Sequence, residues 1–290
     1  MNWLAWSVLS ALLNGARSFV GRRAAMTQRD IVIAQVLLPA VMVVVAGPFL
    51  LLDRAPLATD FWGFCLAASL QGVLFFFASL TRLQAFQTKT SVHVVLSIIQ
   101  ASTPLIVVMS AILFNEWALL LNPWRLSGIC LAIVATYLLL RLETSGSRWD
   151  EGILLAGVSM VASAGATLAA KYTFLINEAV SVFGFILIAN TVNLVLASIR
   201  AAMGAPSGGQ SLKGGVASGI AMGLLNFGGL VAFLQAIKEG ELSVVASIGA
   251  LSIVVPVIMA SVLSRERLGR RRQLAIVASI VALVLLANTP

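Results

Sequence analysis

The chain has 290 residues, of which 60% are hydrophobic and only 10% charged. A soluble domain carries about a quarter of its residues as charges, so a water-facing globule is excluded. The net charge of +8 does not point to nucleic acid, because the basic residues sit in short breaks between apolar runs, where they read as topology determinants facing anionic lipid headgroups.

Apolar runs that can cross ~30 Å of hydrocarbon as helices recur at 3–21, 31–52, 61–82, 91–114, 124–141, 152–171, 180–200, 214–237, 243–263 and 272–288. Each break between them holds charge, Pro or Gly, as in DRAPLATD, RLETSGSRWDEG and SRERLGRRR. The pattern predicts an all-α polytopic membrane protein of ten transmembrane helices. The first run opens at Trp3 with no basic segment before it and no small-residue cleavage pattern after it. It reads as a retained span rather than a signal peptide. Cys65 and Cys130 fall inside spans and read as small hydrophobes, with no disulfide expected.

The chain repeats itself. Leu83, Gln84 and Ala85 match Leu234, Gln235 and Ala236 at an offset of 151, and Ser91, Val92 and Pro104 match Ser243, Val244 and Pro256 at 152. Leu4, Val8, Gly15 and Ala16 match Leu154, Val158, Gly165 and Ala166 at 150, while Gly72 and Phe76 match Gly223 and Phe227 at 151. Two five-span halves, 1–143 and 150–290, are therefore expected. Five is odd, so the second half must enter the membrane upside down, and inverted repeats place a binding site between them near the midplane. Basic residues concentrate in alternate loops, from Arg22 and Arg23 to Arg270 and Arg272. The positive-inside rule puts those loops in the cytoplasm and both termini outside.

Polar side chains within the spans are the candidate functional residues, since they are costly in lipid and must face protein or a cavity. His93, Ser97 and Gln100, followed by Thr103 or Pro104, share one helical face of the fourth span. For His93 and Gln100, a cavity lining and an interhelical hydrogen bond are both open. Pro104 and Pro256 sit mid-span, where a missing N–H bends a helix, either as hinges or as kinks that shape packing. Asn14, Arg17 and Ser18 share a face of the first span, and Lys171 lies near the end of the sixth. Snorkelling to the interface is the simplest reading of both cations. A cation that stays at depth needs a carbonyl, a lipid phosphate or a substrate anion, because all acidic residues lie in breaks or at span ends.

Gln71 and Asn226 lie on the third and eighth spans, next to the duplicated stretch. Gly215, Gly219 and Gly223 form a stripe that lets a neighbouring helix approach closely or slide. One histidine, no HExxH helix and no phosphate-binding loop leave no enzymatic constellation, metal site or cofactor to expect. The candidate substrate-binding set is Arg17, Gln71, His93, Ser97, Gln100, Asn226 and Ser247, with Pro104 and Pro256 as hinges.

The duplicated stretch carries a resemblance. In the second half Pro256 is followed by Arg265-Glu266-Arg267-Leu268, and in the first Pro104 by Asn115-Glu116-Trp117. This is similar to the drug/metabolite transporter superfamily, EamA type. The resemblance implies ten spans as two inverted five-helix repeats, movement of small metabolites, often outward, and a site lined by spans one, three, four, six, eight and nine. It also implies termini inside, against the charge distribution. The carboxylate that small multidrug relatives use for proton coupling in their first span is absent here, so that mechanism is not carried over.

The expected function is an alternating-access exporter in the cytoplasmic (inner) membrane for a small polar or amphipathic metabolite, such as an amino acid or related organic anion. Its partners would be a small-molecule substrate and membrane lipids, with no nucleic acid and a monomeric state. The alternatives are a lipid-linked substrate flippase in envelope synthesis and a non-transporting membrane scaffold.

Overall fold

The computed structural model describes residues 2–26, 31–53, 60–88, 95, 98–117, 121–140, 151–176, 180–203, 212–255, 258–259 and 270–287. Within them lie ten α-helices and no strand: α1 (Trp3–Met26), α2 (Ile31–Leu52), α3 (Phe61–Gln87), α4 (Ser102–Leu113), α5 (Pro123–Leu140), α6 (Glu151–Ile176), α7 (Val182–Ala202), α8 (Leu212–Glu239), α9 (Leu242–Ala250) and α10 (Arg270–Ala287). Each falls on one of the ten apolar runs. Helices α2, α3, α6, α7 and α8 are long and apolar enough to cross a bilayer. Their outer faces carry large apolar side chains such as Leu51, Leu66 and Val44, exposed by 88%, 70% and 71%. Such a surface is stable only against hydrocarbon.

Polar residues start helices where the apolar runs begin. Asp60 caps α3 by accepting from the Gly63 N–H at 3.0 Å, and Ser181 caps α7 by accepting from Gly184 N–H at 3.1 Å. Each satisfies a first-turn donor that lipid could not. Three helices overrun their predicted ends at 21, 82 and 171, reaching Met26, Gln87 and Ile176. Arg82 and Lys171, read as span ends, therefore lie within α3 and α6.

The fourth and ninth runs are interrupted rather than continuous. Residues 98–100 are helical, Ala101 turns, and Pro104 occupies the first turn of a fresh helix, α4. Pro104 lacks the N–H that would bond the Gln100 carbonyl, which explains the break at that point. In the second half α9 gives way to a 3₁₀ turn at Leu251–Ile253, three residues before Pro256. Under the repeat offset of 152, Ala101 corresponds to Ile253, so both halves lose their α-helical geometry at the same place. Pro256 itself lies outside the described residues, as do His93 and Ser97.

Helices of the two halves interleave. The principal packed pairs are α1·α8 and α3·α6, α2·α8 and α3·α7, α1·α9 and α4·α6, with α2·α7, α4·α9, α5·α10 and α5·α9. Exchanging each helix with the one five places along preserves all of these except α5·α9. The α1·α8 pair is antiparallel: Ser10 meets Gly229 and Gly21 meets Met222. So is α3·α6, where Gly165 meets Leu74 and Ser159 donates to the Ala78 carbonyl at 2.8 Å. The pair α2·α7 is antiparallel through Gln35–Arg200 at one end and Phe49–Phe183 at the other. In α5·α10, Gly128 packs on Leu286 while Leu131 and Ala132 cluster with Leu283 and Ala282.

Small residues set these separations. Gly219 receives Leu37 and Ala34 of α2, Gly223 receives Val41 and the Leu38 carbonyl, and Gly229 receives Asn14 of α1. The glycine stripe predicted on the eighth span thus wedges α8 between α1 and α2. At the corresponding position of the first half, Gly72 lies against the Ala189 backbone of α7.

Trp3 of α1 packs on Gly240, and Arg125 at the start of α5 bonds Glu241. Leu286 near the end of α10 lies on Gly128, also at the start of α5. The start of α1 and the end of α10 therefore share one end of the bundle.

Candidate functional site

Ser10, Asn14 and Arg17 are spaced i, i+4 and i+7, which puts them on one face of α1. That face turns to α8. Ser10 Oγ donates to the Gly229 carbonyl at 2.9 Å, and Asn14 Nδ2 donates to Ser10 Oγ at 3.1 Å. Arg17 Nη1 donates to Asn226 Oδ1. Asn226 is buried, and its amide nitrogen faces Met42 Sδ of α2. Arg17 does not snorkel: it reaches inward to a neutral amide on the other half. Ser18, expected on the same face, is exposed and donates to its own helix at the Asn14 carbonyl.

Of the predicted site residues, the structure joins Arg17 to Asn226. Gln71 is buried on α3, Gln100 is half-buried at the break before α4, and Ser247 is buried in α9, donating to the Ser243 carbonyl of its own helix at 2.8 Å. Arg82 is not in the predicted site set: at the end of an apolar run it counts with the loop charges, although the sequence leaves an intramembrane place open for it. It is half-buried inside α3, and its Nε is buried with no hydrogen-bond partner. The signal that could have found it is its spacing, eleven residues or three helical turns after Gln71.

At the end of the bundle where α1 starts, the charges are paired. Glu116, buried between α4 and α5, accepts from the N–H groups of Leu242 and Ser243 at 2.9 and 3.0 Å. Arg125 and Glu241 form a salt bridge of 2.7 Å. Lys171 Nζ donates to the Ile237 and Gly240 carbonyls at 2.7 and 2.9 Å, covering the negative end of α8. Lys171 thus ties α6 to α8 rather than snorkelling. Toward the other end, Arg17, Arg82 and Arg200 have no carboxylate partner among the described residues; Arg200 donates to Gln35 Oε1 of α2.

Apolar helices with exposed apolar faces and an interior holding amides, hydroxyls and guanidiniums define an integral, multi-pass membrane protein. Its second half, residues 150–288, matches the model of the EamA-like transporter family, which lies within the drug/metabolite transporter superfamily. Members of that family are transporters, not enzymes. No curated protein matches the chain. Among solved structures 29 chains match. One, described only as "Crystal structure of protein", is 14% identical with a TM-score of 0.78, over 98% of this chain and 95% of that one. That likeness shows the fold alone.

Proposed function

We propose that this protein is an alternating-access transporter that moves a small polar or amphipathic organic anion outward across the cytoplasmic membrane, between two inverted five-helix repeats. One observation carries the reading. Arg17, on a helix of the first half, meets Asn226, on a helix of the second, with no carboxylate partner among the described residues. A guanidinium held at depth by a neutral amide keeps its full charge and leaves donors for a carboxylate or phosphate.

The helix pairing supports the repeat. A set of pairs that, α5·α9 apart, is preserved on exchanging helices five apart, with α2·α7 and α5·α10 antiparallel, fits a two-fold axis across the helices, in the plane of the membrane. Arg17 and Asn226 then belong to the interface where inverted repeats bind substrate. Gln71, Gln100 and Ser247, with His93 and Ser97, complete the proposed lining. The breaks before Pro104 and Pro256 are the proposed hinges. The end tied by Glu116, Lys171 and the Arg125–Glu241 bridge is the closed gate, and the basic residues at the opposite end favour its facing the cytoplasm.

In proteoliposomes loaded with amino acids and organic anions, Arg17→Ala is expected to cut transport of the substrate about 10- to 100-fold, the worth of a charged hydrogen bond. Transport at the wild-type rate by a correctly folded Arg17→Ala protein would sink this reading.

A further inference from the structure

We infer that the Arg125–Glu241 bridge is an ionic latch, which holds one end of the bundle shut and weakens as ionic strength rises. The inference rests on the transporter reading above and adds a regulation to the gate proposed there.

The bridge is where the two halves stop matching. Arg125 Nη1, at the start of α5, donates to Glu241 Oε2, just before α9, at 2.7 Å. The pair α5·α9 that it fastens is packed, whereas α4·α10, its image when helices five apart are exchanged, shows no comparable packing among the described residues. The residue types account for this. The offset of 152 that carries Ser91 and Val92 onto Ser243 and Val244 carries Lys89 onto Glu241. Helix α10, the counterpart of α5, starts with Arg270, Arg271 and Arg272. One half thus supplies opposite charges for a bridge, and the matching positions of the other carry like charges, which repel.

Three polar ties hold this end, and they differ in what can undo them. Lys171 joins two helices of the second half. Glu116 crosses from the first half to the second, but it is buried and its partners are backbone N–H groups. The bridge crosses too, and its side chains keep 13% and 31% of their surface in water. Charges partly open to water are screened as the Debye length falls from about 10 Å at ~0.1 M salt to about 3 Å at ~1 M. Opening this end breaks both crossing ties. Salt lowers the cost of one of them, so the end opens more often.

The test uses the full chain in phosphatidylcholine nanodiscs, with Cys65 and Cys130 replaced by alanine and Ser243→Cys as the reporter. Ser243 is buried two residues after Glu241 and its hydroxyl has no hydrogen-bond partner, so the thiol costs no bond. Labelling by a neutral, water-soluble maleimide is expected to be slow in low salt and to quicken about two- to fivefold in ~1 M potassium chloride, the worth of a partly exposed ion pair. Arg125→Gln and Glu241→Gln should each label about fivefold faster in low salt and lose the salt response. The double variant should be no faster than either, because both remove one interaction, and Arg125→Lys should keep the parent's behaviour. Ser159→Cys, buried in α6, should stay unlabelled in every folded variant. A parent whose labelling ignores salt, a measurement that needs no change at the bridge, overturns the latch. So do single variants whose effects add. Either result, with flux of an anionic probe intact in proteoliposomes, leaves the transporter reading standing. The expected labelling pattern in a protein that moves no probe supports the latch and overturns that reading.

Discussion

Gly72→Val is expected to leave little folded protein. A side chain at Gly72 would drive its Cβ into the carbonyl and Cα of Ala189, which are backbone and cannot rotate away. Helices α3 and α7 would have to separate, losing the packing of Phe64 on Phe185 along the same seam. Overpacking a core costs about 1–3 kcal/mol when side chains can adjust; here they cannot, and we expect more than about 3 kcal/mol. Gly223→Val should do the same at the repeat-related seam, where the new Cβ would lie 2.7 Å from Val41 Cβ and 3.1 Å from the Leu38 carbonyl. Gly47 and Gly157 have nothing within 4 Å of such a Cβ, so alanine there should be neutral or stabilise its helix by up to about 1 kcal/mol. Thermal unfolding in detergent reads all four. Valine variants at 72 and 223 that kept the wild-type midpoint would mean that these helices do not meet as described.

Much of this fold is legible because lipid punishes exposed backbone: a span must be a run of apolar residues, and a break must hold something that water prefers. That is why ten runs became ten helices and why the ends of α2, α5 and α7 were found within a few residues. The same logic leaves Arg82 and Lys171 ambiguous between loop and span, and the structure puts both within helices. Charge marks a span end only when its partner is water or a headgroup. Lys171 has two carbonyls of α8 as partners, a fact that no local pattern records. Arg17 and Asn226 were chosen separately as polar residues in apolar helices, but their contact crosses 209 residues of sequence. Ser247 shows the reverse limit. A hydroxyl in an apolar helix can satisfy itself on its own backbone, as this one does on the Ser243 carbonyl, so its presence does not reveal which way it faces.

Glu116→Ala is expected to cost roughly 2–5 kcal/mol, since it leaves two buried N–H groups without an acceptor at about 1–3 kcal/mol each. Helix α9 starts at Leu242 and its first N–H groups have no intrahelical acceptor. Glu241 holds the capping position but makes no side-chain cap bond, because its carboxylate is engaged with Arg125. The acceptors come instead from Glu116, 126 residues away from Leu242 and on the other half of the chain. Asn115 makes this possible by taking a left-handed turn at φ 57°, a conformation that Asn tolerates better than branched residues. Removing the carboxylate strands two buried N–H groups and takes negative charge from the positive end of α9. Glu116→Gln keeps the shape and one acceptor, and should lose about half as much. Asn115→Gly should be tolerated, whereas Asn115→Val should approach the cost of Glu116→Ala, since it disturbs the same contact through the backbone. Unfolding midpoints that rank Asn115→Gly above Glu116→Gln, and Glu116→Gln above Glu116→Ala, would establish the capping role. Equal midpoints for all would mean that water reaches the start of α9 and replaces the carboxylate, and this end of the bundle could not then serve as a closed gate.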